Sequence, residues 1–70
     1  MRLSTRNQLP GTVSSIELGG VMAVVKVVLD GGGQQIISAI TRDAAEDLGL
    51  REGSKVSVLV KSTEVTLAVE

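Results

Sequence analysis

The sequence has no cysteine, no histidine and no phenylalanine, tyrosine or tryptophan. Each absence removes a class of chemistry. Without thiols or imidazoles there is no disulfide framework, no Cys/His zinc site, no thiolate nucleophile and no general base tuned near neutrality. An enzyme is therefore not expected. Without rings there is no platform on which bases could stack, and 7 basic against 8 acidic residues, a net charge of −1, gives no electrostatic funnel for a polyanion. Nucleic acid is a poor fit as partner. The acids are scattered without the spacing of an oxygen cage, so no metal cation is expected to be ligated directly. No run approaches the ~18 apolar residues of a membrane span, and the stretch 1–8 lacks the apolar core of a signal peptide. A cytoplasmic protein with no membrane partner is the expectation.

At 70 residues the chain is read as one domain, 1–70. A chain of this size buries only ~60% of its unfolded surface, and here it must do so without aromatic side chains. With disulfides and Cys/His metals excluded, self-association is the remaining source of stability.

What is present favours strands. The apolar fraction, 43%, rests on Val, Ile, Leu and Ala. A weakly alternating strand over 11–18 ends at Gly19-Gly20. A second, over 21–29, sets Val21, Ala23, Val25, Val27 and Leu29 on one face and Met22, Val24, Lys26 and Val28 on the other. Both faces are apolar, so one reads as core and the other as a subunit interface. Asp30-Gly31-Gly32-Gly33 is a hairpin turn, since no helix or Lys-Ser/Thr pair follows to make a phosphate loop. A third strand covers 34–40. A short helix covers 41–50, with Thr41 as N-cap and Gly49 just past its end. Val56, Val58 and Val60 alternate cleanly through a fourth strand, 55–61, and Val65, Leu67 and Val69 through a fifth, 64–70. The expected fold is all-β: a five-stranded OB-like Greek-key barrel with one short helix after the third strand.

Three groups of residues carry candidate chemistry. Ser4-Thr5-Arg6-Asn7 gathers two hydroxyls, a guanidinium and an amide, or is simply a solvated terminus. Lys61-Ser62-Thr63 joins the last two strands as a donor cluster or an ordinary turn. Thr41 begins a helix, where unpaired N–H groups suit an anion, or merely caps it. Together they offer donors, two cations and no catalytic partner, which points to a bound anion.

The opening Ser4-Thr5-Arg6-Asn7-Gln8-Leu9-Pro10-Gly11-Thr12-Val13 resembles the Ser-Ala-Arg-Asn-x-Leu-x-Gly-x-Val start of the molbindin (Mop) family, small molybdenum-pterin-binding proteins of the TOBE type. Val21-Met22-Ala23-Val24-Val25, Ala39-Ile40-Thr41, Leu48-Gly49-Leu50 with Gly53, and Val60-Lys61-Ser62-Thr63-Glu64-Val65 follow in the family's order across the whole chain. The resemblance implies a molybdate-binding domain on an OB-like barrel, assembled as a homohexamer, a trimer of dimers, with oxyanions between subunits. Carried over by motif, the donors are Ser4, Arg6, Asn7, Thr41, Lys61 and Ser62, with backbone N–H groups of Thr5 and Ser62 contributing. Ala44 stands where relatives often carry Ser, offering an amide but no hydroxyl.

A site made only of donors suits a fully deprotonated tetrahedral dianion. Hydrogen phosphate would turn its own proton toward a donor, sulfate differs only in size, and tungstate hardly differs at all. The implied function is intracellular storage and homeostasis of molybdate, with tungstate also accepted and release toward molybdenum-cofactor synthesis. No tight pterin site is expected. An oxyanion-sensing regulatory module is the alternative, and an OB-type nucleic-acid binder a more remote one.

Overall fold

The computed structural model describes residues 2–70. Four strands, β1 (Asn7–Leu18), β2 (Met22–Leu29), β3 (Gln35–Thr41) and β4 (Lys55–Val60), form one antiparallel sheet in the order β3-β2-β1-β4. The fourth strand returns to lie beside the first, which is the Greek-key arrangement expected. Between β3 and β4 runs one short helix, α1 (Arg42–Asp47).

β1 organises the molecule because it divides its length between two partners. Its first half, from Asn7 to Thr12, runs against β4, and its second half, from Gly11 to Leu18, against β2, with a bulge between Val13 and Ser15. That division curls the sheet into a half-barrel. Pro10 is tolerated because it turns its hydrogen-bonding edge away from β4: its carbonyl accepts the Asp30 amide at 3.0 Å, just beyond the end of β2, where no ladder donor is needed.

Gly11 lies where all three strands meet. A Cβ there would sit 2.6 Å from Val27 Cγ1 and 2.9 Å from the Val28 carbonyl oxygen, and the latter is backbone that cannot swing aside. Gly11→Ala is expected to destabilise the chain by about 1–3 kcal/mol, read as a lowered denaturant midpoint at unchanged slope.

The period-2 pattern of β2 separates two faces, of which the one carrying Ala23, Val25 and Val27 is the core, while Val21 at its start lies before the strand and is exposed. Ala23, Val25 and Val27 are buried, Val13 of β1 joins them, and Ile16, Ile40, Leu50, Val56 and Val58 pack around this nucleus. Val25→Ala removes two buried methyl groups from its centre and is expected to cost about 2 kcal/mol by chemical denaturation. The opposite face leaves Met22, Val28 and Ile37 exposed, the last at 65%.

Helix α1 is bounded by its local chemistry. Thr41 caps it with an extended backbone and accepts the Ala44 amide. At the other end Gly49, at φ +62°, takes the left-handed position, and the amides of Gly49 and Leu50 reach back to the carbonyls of Glu46 and Ala45 at 3.0 and 3.1 Å. The regular helix is thus shorter than the 41–50 segment that contains it.

The fifth strand is not formed among the described residues, and this corrects the five-stranded barrel. After β4 the chain makes a 3-10 turn, Ser62–Glu64, and residues 65–70 then run without a ladder partner. Leu67 is 92% and Val69 98% exposed. Alternating Val65, Leu67 and Val69 specify a strand's face but not its neighbour, and the turn leads this segment away from its own sheet.

Candidate functional site

The antiparallel register of β1 and β4 decides where the candidate donors lie. Asn7 pairs with Val60 as the last rung of the ladder, so Ser4-Thr5-Arg6 leading into β1 and Lys61-Ser62 leaving β4 lie at the same end of the sheet. Two groups 54 or more positions apart in sequence thereby share one end of the sheet. Among the described residues no hydrogen bond or ion pair engages the side chains of Ser4, Arg6, Asn7, Lys61 or Ser62. Arg6 and Lys61 are both exposed, while Thr5 and Asn7 are half-buried. The Thr5 carbonyl accepts the Gln8 side-chain amide at 3.0 Å, which braces the turn into β1.

Thr41 lies at the other end. It pairs with Met22 at the start of β2, next to the place where β1 finishes at Leu18 opposite Ala23. Between Asn7 and Leu18 run eleven steps of strand, about 36 Å of contour at ~3.3 Å per residue. Donors around one small ion must all come within about 3 Å of its oxygens. Within a single chain, Arg6 and Lys61 therefore lie at the opposite end of β1 from Thr41.

The hydroxyl of Thr41 is oriented locally. Its oxygen accepts the Ala44 amide at 3.1 Å, so the proton that remains is free to donate outward. The same bond occupies the Ala44 N–H, which the motif comparison counted as a donor; it serves the cap in this structure. With six residues, α1 stacks few peptide dipoles, so the hydroxyl matters more here than the helix end.

Sequence reasoning does not single out Arg42. Its backbone amide donates to the Val21 carbonyl at 2.7 Å, its Nη1 to the Gly19 carbonyl at 3.1 Å, and its Nε to Glu46 Oε1 at 3.3 Å. The i, i+4 spacing of Arg42 and Glu46 was a visible signal. The contact with Gly19 was not, because it spans 23 positions and depends on the turn between β1 and β2.

A separate polar cluster, in which Lys55 Nζ donates to Thr12 Oγ1 at 2.8 Å and lies 3.8 Å from Asp30 Oδ1, ties the β2–β3 turn to β4. Among the described residues no group of three or more acidic side chains is placed to hold a metal ion, and no helix is long and apolar enough to cross a membrane.

Comparison with known proteins gives the lineage of this half-barrel. The TOBE domain family model matches residues 3–67. Molybdenum-pterin-binding protein 3 of Clostridium pasteurianum is 43% identical over 68 residues, covering 96% of this chain and 97% of that protein. A molybdate-binding protein from Sporomusa ovata superposes with a TM-score of 0.89 at 42% identity, covering 99% of this chain and all of the other. The cytoplasmic molybdate-binding protein ModG, in a crystal form with molybdate bound, gives a TM-score of 0.81 at 45% identity over 89% of this chain and 43% of its own. The chain belongs to the TOBE-domain family, among the small molybdenum-pterin-binding (Mop) proteins.

Proposed function

We propose that this chain binds molybdate, and tungstate almost equally, in sites shared between copies of itself, and serves cytoplasmic storage and homeostasis of the oxyanion without catalysing a reaction. The observation that carries this reading is the separation of its donors. Arg6, Lys61 and their neighbours stand at one end of the sheet and Thr41 at the other, so each cluster is half of a site that a second copy completes. The donor set fits the ion. Guanidinium and ammonium supply charge, the hydroxyls of Ser4, Thr41 and Ser62 and the amide of Asn7 supply directed protons, and the N–H groups of Thr5 and Ser62 add to them. Ala44 contributes through the backbone that fixes Thr41. Molybdate, an acceptor at all four oxygens, is satisfied by such a shell, while hydrogen phosphate leaves its proton facing a donor. The molybdate-binding neighbours from Sporomusa ovata and ModG support the same ligand. With no aromatic residue in the sequence, nothing stacks on a pterin, and no tight pterin site is proposed.

The assembly we propose is a homohexamer, a trimer of dimers, in which the chain acts as one domain over 1–70. Two surfaces support self-association. One is the exposed apolar outer face of β2 and β3, with Met22, Val28 and Ile37. The other is the unpaired segment 65–70, about 20 Å long when extended, which matches the six residues of β4 and would lie in a second copy along the apolar opening lined by Val25, Val27, Ile40, Leu50, Val56 and Val58.

Native mass spectrometry with and without molybdate tests both parts together. Six-chain particles that gain the mass of bound molybdate are expected. A monomer that gains none overturns the proposal.

A further inference from the structure

We propose that Arg42 is the positioning residue that keeps the Thr41 hydroxyl aimed at the oxyanion, an inference that rests on Thr41 being a donor as set out above. A six-residue helix with only Ala45 buried has too few bonds of its own to hold together, since the first turn fixes several residues for a single hydrogen bond. Its first turn must be held from outside. Arg42 does this from two directions. The backbone amide is bonded to Val21 and the guanidinium to the Gly19 carbonyl, on a turn that contains Gly19-Gly20 and leaves Val21 75% exposed. The same guanidinium reaches Glu46 one turn further along the helix.

Thr41 sits between this clamp and its pairing with Met22. Its oxygen is held at the start of the helix by accepting the Ala44 amide, and that bond exists only while the first helical turn is in place. Thr41 is also the sole hydroxyl between residues 41 and 50, so no neighbour replaces it if it turns away. The planar fork of Arg42 satisfies two acceptors lying in different directions, which the single ammonium of lysine does not.

Arg42→Ala and Arg42→Lys, titrated with molybdate by calorimetry, are each expected to bind about 10-fold more weakly than the wild type. In a Thr41→Val background, Arg42→Ala is expected to cause no further loss, because it acts through the hydroxyl already removed. Hydrogen exchange at the Ala44 amide, followed by NMR in ligand-free protein, is expected to accelerate in Arg42→Ala. Wild-type affinity in Arg42→Lys would mean that charge alone suffices, and an undiminished loss in the Thr41→Val background would mean a general structural effect. Either result overturns the inference, as does unchanged Ala44 exchange. A wild-type protein that binds no molybdate overturns the functional reading instead, and the Ala44 exchange rate then still decides whether Arg42 holds the Thr41 cap.

Discussion

Replacing Arg6 or Lys61 by alanine is expected to weaken molybdate binding by about 10- to 100-fold each. A hydrogen bond from a cation to an anion contributes about 1.5–3 kcal/mol, and each 1.4 kcal/mol is a factor of ten in affinity. Ser62→Ala removes only a neutral hydroxyl and is expected to cost about 2- to 10-fold. None of the three side chains supports the fold among the described residues: all are exposed, and none makes a hydrogen bond within the chain. Calorimetric titration should therefore show reduced affinity at unchanged thermal stability of the ligand-free protein. Equal affinity in both cation variants would remove them from the site.

Loss of the tail should have the other large effect. Leu67→Asp combined with Val69→Asp, or truncation after Glu64, is expected to leave a folded chain that no longer assembles. Leu67 and Val69 give almost nothing to the chain's own core, so strand content by circular dichroism should change little. Burying Val65, Leu67 and Val69 against a second copy is worth roughly 4–9 kcal/mol per tail, enough to move a dissociation constant by three orders of magnitude or more. Sedimentation should report monomers for the variant and a large particle for the wild type. Tight molybdate binding should disappear with the particle, and should return in part as protein concentration is raised. A variant that still sediments as the wild type would rule out the tail as an assembly element.

Much of the fold was legible in the sequence where local pattern and local structure coincide. The alternation in β2 separated its two faces without saying which is core, that in β4 predicted that Val56 and Val58 turn inward, and Gly49 marked the end of α1 by the backbone conformation it supplies. The start of β1 was not legible: residues 7–10 contain a proline and no alternation, and they become strand only because β4 lies alongside. The tail was misassigned for the opposite reason. Its alternation is strong, yet pairing is a long-range property that periodicity does not carry.

The candidate site divided in the same way. Residue chemistry picked out Ser4-Thr5-Arg6-Asn7, Thr41 and Lys61-Ser62-Thr63 as candidate donor groups, but not which of them share an end of the sheet. That Arg6 and Lys61 share one end of the sheet while Thr41 lies at the other follows from register. Neither the capping use of the Ala44 amide nor the reach of Arg42 to Gly19 could be read from residue types, because both depend on how the helix is set against the sheet.

Sites built from two copies have a direct test in subunit mixing. One variant, Arg6→Ala with Lys61→Ala, keeps Thr41; a second, Thr41→Val, keeps both cations. Each alone should bind molybdate weakly. After the two are unfolded together and refolded as mixed particles, a fraction of the seams regains both intact halves, and that fraction should recover wild-type affinity in equilibrium dialysis against molybdate. Mixed particles that bind no better than either parent would contradict the sharing of each oxyanion between chains.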